Sequence, residues 1–207
     1  CMASAAPINI DLVNWSFELP TPGPQFVRDF STIPGWDLLQ GDAGLWNHAA
    51  SGATDGTTTL FLGTPSGSRP TGVVIQLLTH LISTNDQFEL SFDLWSWSMG
   101  TGVRAALVYM MDPATPVPFA IEEFVASAPG VGGSERYTLT SDLPIPVTAV
   151  GKMLGIMFTA VNTDDKEDEY TDLDSVTLSV TPGEIPEPAT MTLLAIGTAG
   201  LLKRRRK

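Results

Sequence analysis

"FELSFDLWSWS", residues 88–98, alternates apolar and polar side chains until two tryptophans close it. Phe88, Leu90, Phe92 and Leu94 fall on one face of an extended chain; Glu89, Ser91, Asp93, Trp95 and Trp97 fall on the other. The first set reads as core and the second as an outward face. The same period of two recurs along the body. Candidate strands are Ile8–Val13, Thr58–Leu62, Gly72–Leu78, Gln87–Trp97, Val103–Met111, Arg136–Thr140, Met153–Val161 and Ser175–Val180. Turn-formers separate them, as in "TPSGSRPTG" (64–72) and "SAPGVGGS" (127–134). With about eight strands and no long amphipathic helix, the predicted fold is all-β, a two-sheet antiparallel sandwich.

The 207 residues suffice for one well-buried domain plus tails. Five of the eleven basic residues occupy positions 203–207, so the rest of the chain carries 23 acids against six bases, a net of −17. Such a body repels nucleic acid and anionic lipid, and nucleic-acid binding is not expected. Cys1 is the single cysteine, which rules out an internal disulfide framework and a cysteine-based zinc site. "CMASAAP" opens the chain, and its small residues suit the end of a signal peptide, with residues 1–6 as the remnant. A lipidated Cys1 is the other reading; both imply export.

"IPEPATMTLLAIGTAGLLKRRRK" (185–207) sets Pro186, Glu187 and Pro188 before fourteen uncharged residues and a basic run. The prolines break any regular element, so 182–188 reads as a linker and 189–207 as an apolar anchor with a positive cytoplasmic flank. A helix of fourteen residues reaches about 21 Å, short of a roughly 30 Å hydrocarbon core, which snorkelling basic side chains and local thinning can offset. The alternative, a buried terminal helix, leaves five basic residues beside a core. The order Pro186-Glu187-Pro188, apolar segment, Arg204-Arg205-Arg206 resembles the PEP-CTERM sorting signal of Gram-negative bacteria. That resemblance implies recognition by a membrane sorting enzyme, an exosortase, and transient anchoring in the inner membrane. Delivery to the cell surface or the extracellular polysaccharide matrix then follows.

The body, 7–181, resembles a jelly roll of the galactose-binding-like, carbohydrate-binding-module kind. The matching pieces are "LVNWSFELP" (12–20), "IPGW" (33–36), "ATDGTTTLFLG" (53–63), "VVIQLLTHL" (73–81), "FELSFDL" (88–94) and "DLDSVTLSV" (172–180); Trp15 stands where the family usually has glycine. The resemblance implies a structural calcium between first and last strands, held by Glu18 and Asp174 with Asp172 or carbonyls added. As surface or capping acids, the same residues need no metal. "DDKEDEYTDLD" (164–174) holds seven carboxylates and reads as a solvated loop or as a cation-loading patch.

Sugar binding relies on aromatic faces, and Trp95 with Trp97 forms a candidate stacking platform unless a bulge after Leu94 turns both indoles inward. Trp46, with Asn47 and His48, is a second candidate, while Trp36 reads as a loop anchor. His48 and His80 lie in no zinc-helix or nucleophile-elbow motif, and no phosphate loop is present. Paired acids alone would admit a glycosidase, but the chain has little material for a cleft. The expectation is therefore a non-enzymatic exported protein of the surface or matrix that binds carbohydrate. A purely structural matrix protein and a polysaccharide hydrolase are the alternatives.

Overall fold

The computed structural model describes residues 6–20, 26–28, 30–47, 53–64, 70–96, 100–112, 115–125, 134–141, 144–162 and 170–182. The predicted signal-peptide remnant through residue 5, Trp97, His48, the acidic run through residue 169, and the predicted linker and anchor from residue 183 lie outside these.

The described residues form an antiparallel sandwich, as the alternation predicts. Its strands are β1 (Ile8–Ile10), β2 (Phe26–Val27), β3 (Asp37–Gln40), β4 (Ala43–Asn47), β5 (Thr58–Gly63) and β6 (Val73–Leu81). They continue with β7 (Gln87–Ser96), β8 (Thr101–Asp112), β9 (Thr115–Val125), β10 (Glu135–Thr140), β11 (Met153–Asn162) and β12 (Tyr170–Thr181). One sheet has the order β10-β7-β12-β5-β4-β2, with β1 also on β12; the other runs β3-β6-β11-β8-β9. Among the described residues no helix is long and apolar enough to cross a membrane.

The inward set of β7 is buried, Leu90 and Phe92 completely. Phe92 meets Phe158 of β11 edge-on at 5.0 Å between ring centres, and Phe158 meets Trp36 at 6.0 Å. Trp36 in turn packs on Phe17 at 5.2 Å, which fastens the chain between β1 and β2 to the core. Fully burying aromatic side chains of this size contributes about 2 kcal/mol each, so these contacts decide which face of every strand turns inward. Gln76 is buried among them, and its side-chain amide pairs with the Val13 backbone, accepting from its N–H at 3.2 Å and donating to its carbonyl at 2.8 Å.

β12 is central. β7 pairs along most of its length, β5 pairs with Tyr170–Leu173, and β1 pairs with Leu178–Val180. Between these two partners the strand bulges: the register shifts from Asp174 to Thr177, and Ser175 adopts φ 50°. Val176 N–H there bonds the Trp15 carbonyl at 3.0 Å. A bulge re-aims neighbouring side chains, and here it turns a carboxylate and a carbonyl toward β10 and the 53–58 loop.

Candidate functional site

The outward face of the seven-stranded sheet is polar across β12, β7 and β10. Register places Asp174 beside Asp93 and Asp93 beside Arg136. The next row is Thr177, Ser91 and Thr138; the one beyond is Asn9, Ser179, Glu89 and Thr140. This strip ends in an open groove of about 430 Å³, lined by Asn9, Gln87, Glu89, Thr140, Ser179 and Thr181 with their neighbours.

At its other end the strip is closed over. Asp174, 1% exposed, accepts hydrogen bonds from Thr54 N–H at 2.6 Å and Asp55 N–H at 2.9 Å on Oδ2, and from Ser175 N–H at 2.7 Å on Oδ1. Thr54 donates through its hydroxyl to Asp93 Oδ2 at 2.5 Å, a proton shared with Asp174 Oδ2 at 3.1 Å. Its single proton is then spent, so Ser175 Oγ, 2.9 Å away, serves as donor to Thr54. Arg136 completes the cluster, reaching Asp93 at 3.2 Å, the Ser175 carbonyl at 2.7 Å and Thr177 Oγ1 at 2.7 Å. Burial raises the Asp174 carboxyl above the ordinary carboxylate range, against the pull of the amides of Asp55, Thr54 and Ser175 and of the Thr54 hydroxyl.

Glu18 is held by the same loop. Its Oε1 accepts from Thr57 N–H and Thr58 N–H, both at 2.8 Å. Gly56, at φ +72°, makes room for it: a Cβ there would stand 2.3 Å from Glu18 Oε1. The structure thus ties Glu18 and Asp174 to one loop through its backbone amides. Amide hydrogens present positive charge, which suits carboxylates and opposes a cation. Asp172, on the outward face between Phe61 and Trp95, accepts from Thr59 Oγ1 at 3.3 Å. Among the described residues no three His, Cys, Asp or Glu side chains come close enough to share an ion.

The predicted sugar platform also changes. Alternation holds through Ser96, so Trp95 does lie on the outward face, opposite Asp172. Yet it is only 3% exposed, so its own indole face is not open for stacking. Trp46, half-buried, lies opposite Thr59 on the same face. His80 bonds Asp86 at 3.0 Å through Nε2, and Asp86 also accepts from Ser83 N–H at 2.8 Å, a turn-holding arrangement. Sequence reasoning missed Thr54 and Arg136; the signal for Arg136 was its being one of only six bases in the body.

Two sequence profiles match. The one described as HpiC1-like, HpiC1 cyclase, covers residues 8–179, and the PEP-CTERM protein-sorting motif covers 184–207. That motif is the recognition signal for exosortase and marks an exported protein processed on the envelope side. Among solved structures, the chain is similar to the Stig cyclase Fisc from Fischerella sp. TAU in complex with (3Z)-3-(1-methyl-2-pyrrolidinylidene)-3H-indole. The two are 19% identical, over 86% of this chain and 100% of that one, with a TM-score of 0.66. It is also similar to part of an arabinose-bound α-L-arabinofuranosidase, MgGH51: 10% identity, 83% of this chain, 26% of that one, TM-score 0.56. A further match is the enzymatically active domain of tailspike protein 4 of bacteriophage CBA120: 15% identity, 83% of this chain, 21% of that one, TM-score 0.52. No curated protein matches. At these identities the structural likeness is one of fold, and it agrees with the sandwich built above. By the profile that spans residues 8–179, nearly all of its β-sandwich, the chain belongs to the HpiC1-like cyclase family.

Proposed function

We propose that this exported protein is a non-enzymatic component of the cell surface or extracellular matrix that holds polysaccharide along the polar strip of its seven-stranded sheet. The observation that carries the reading is the strip itself: hydroxyl, amide and carboxylate side chains in register across three strands, ending in an open groove. Sugar hydroxyls need such donors and acceptors, and a row of small Ser and Thr side chains leaves room for a chain to lie flat. The sorting motif supports a destination where polysaccharide is abundant. The carboxylates nearest the strip support a binding role over catalysis. Asp174 has both oxygens taken by structural amides, and Asp93 by Thr54 and Arg136, so neither is free to move a proton to a substrate. Retention on polysaccharide tests it. We expect the full chain to be held, and Glu89→Gln with Asn9→Ala to lower retention several-fold at unchanged melting temperature. Retention equal to that of the parent chain refutes the reading.

Membership of the cyclase family and the raised Asp174 carboxyl favour a second reading, an acid-assisted cyclisation of a small molecule. It requires the 53–58 loop to lift from Asp174. Turnover of an indole-containing substrate, lost in Asp174→Asn while the fold persists, would establish it in place of the first.

A further inference from the structure

The end of the sandwich at which β12 finishes is unlike the rest of its surface. Thr181 there lies opposite Gln87 at the start of β7, and Val180 opposite Ile8 of β1. The turn 82–86 crosses from Gln87 to Leu81, the last residue of β6, and Leu81 lies opposite Met153 at the start of β11. The segment 145–152 is tied across the same end. Ile82 N–H donates to the Lys152 carbonyl at 3.0 Å, and Gly151 N–H donates to the Ile82 carbonyl at 2.8 Å. Thr148 Oγ1 stands 2.9 Å from the hydroxyl of Tyr109, two residues before Met111 of β8. Twelve large apolar side chains are exposed among the described residues, and six of them stand here: Ile8, Leu81, Met111, Val147, Val150 and Met153, from 87% for Val147 to 37% for Val150. They run on to the outward face of the five-stranded sheet, where Leu77 and Ile121 stand exposed beside the separate apolar cluster of Ile75, Ala106, Val108, Met110 and Met157. Charge is sparse. In 80–87, 145–153 and 180–182 the charged residues are Asp86 and Lys152. Asp86 is 5% exposed and held by Ser83 N–H and His80, whereas Lys152 is open to solvent. Asp112, beside Met111, adds one exposed acid.

We infer that this end, with the adjoining part of the five-stranded face, rests on a phospholipid bilayer of zwitterionic headgroups while the chain is held by its tail. The first argument is position. Seven residues, 182–188, separate Thr181 from the fourteen uncharged residues 189–202, which the sequence marks as an anchor. Seven residues span at most about 24 Å, so an anchored chain keeps this end of the sandwich, and no other, at the lipid surface. The second is chemistry. Apolar side chains on loop tips enter the boundary between headgroups and acyl chains, and a neighbouring lysine buries its stem there while its ammonium group reaches phosphate. Val147, Val150 and Met153 around Lys152 have that composition. The third is charge. A body with a net of −17 is repelled by anionic lipid, and the repulsion is weakest where the approaching surface carries few acids. The patch is small, and a short linker adds to it by raising the effective concentration of lipid to about the millimolar range. Cutting the chain at the sorting motif removes that help, and the domain then leaves the bilayer. In this seat the five-stranded sheet faces lipid and the polar strip, on the opposite sheet, faces solvent.

The test reads lipid contact, so it stands apart from polysaccharide retention. The full chain, with Cys1→Ser and Val147→Cys carrying an environment-sensitive fluorophore, is reconstituted by its tail into phosphatidylcholine nanodiscs at a single copy per disc. Doxyl groups on the acyl chains supply the quencher. We expect blue-shifted, quenched emission from the label at position 147, and neither change from the same label at Thr138→Cys on the polar face. Leu81→Asp with Met153→Asp should cut the quenching at 147 at least about threefold, because a carboxylate is poorly tolerated against acyl chains. Circular dichroism and melting temperature establish that this variant folds. If it does not, Val147→Asp, read by a label at Val150→Cys, takes its place with the same expected loss. An unshifted label at 147 overturns the inference, as does a chain that does not enter the discs. Equal quenching at 147 and 138, or quenching that survives the aspartates, overturns it too. So does a blue shift that doxyl lipid does not quench, which would assign the surface to a protein neighbour.

Discussion

The two outward faces of this sandwich use burial in opposite ways. On the seven-stranded sheet, side chains that water would welcome are covered: Asp174 and Asp172 are 1% exposed beneath or beside a loop. On the five-stranded sheet, side chains that water rejects are open, Ile121 and Leu81 among them. Covering a carboxylate costs several kcal/mol unless donors replace its water, and here three backbone N–H groups and a hydroxyl do so. Leaving a single leucine or isoleucine open costs little, but a registered patch of them is a surface awaiting a neighbour. Polar atoms therefore tie the fold together on one side, and apolar atoms wait for contact on the other.

The contrast is sharpest in a pair of truncations. Asp174→Ala should destabilise the monomer by about 3 kcal/mol, since the amides of Thr54 and Asp55 lose their acceptor in a buried site. Ile121→Ser should change it by less than about 0.5 kcal/mol. Urea unfolding of the two variants measures both, and comparable losses would erase the distinction between the faces.

A pH series gives the next largest effect. The folded Asp174 carboxyl titrates above its unfolded value of about 3.9, so the protonated form is the better tolerated one when buried. Its contribution is greatest below that unfolded value and declines as pH rises through the raised folded one. The melting temperature of the parent chain relative to Asp174→Asn should accordingly fall across that window and then level. A difference that is flat with pH would mean that the loop does not desolvate the group.

The smallest expected effect concerns metal. With amide donors occupying Glu18 and Asp174, millimolar calcium or a chelator should move the melting temperature by less than the few degrees that about 1 kcal/mol represents. A larger rise with calcium would show that the loop can turn carbonyls in place of N–H groups toward the two acids.

Much of the sandwich was readable in advance because alternation is local. The segment 87–97 differs from β7 at its last residue, where Trp97 lies outside the described residues, and Met153–Val161 from β11 by Asn162 alone. β9 escaped notice because Pro116 and Pro118 argue against a strand, although an edge strand tolerates both. β3 and β4 are short and interrupted by Gly41 and Gly44. The site was legible only in its residue types. "DLDSV" announced buried or ligating acids, but the amides that satisfy Asp174 come from residues 119 and 120 positions away, and no periodicity reports which loop will close on a strand. Trp95 shows the same limit. Its side of the strand was correct, and what covers that side was invisible in the strand's own pattern.

The position of β12 bears on what happens when the chain is pulled. The sorting motif begins three residues after β12 ends, so any tension applied through that motif runs directly into this strand. β12 is gripped by β7 on one side and by β1 and β5 on the other, and a tug along its axis loads those ladders in shear, all rungs at once. The domain is thus fastened to its address by a mechanically strong strand, which a peripheral hairpin, unzipping rung by rung, would not have provided.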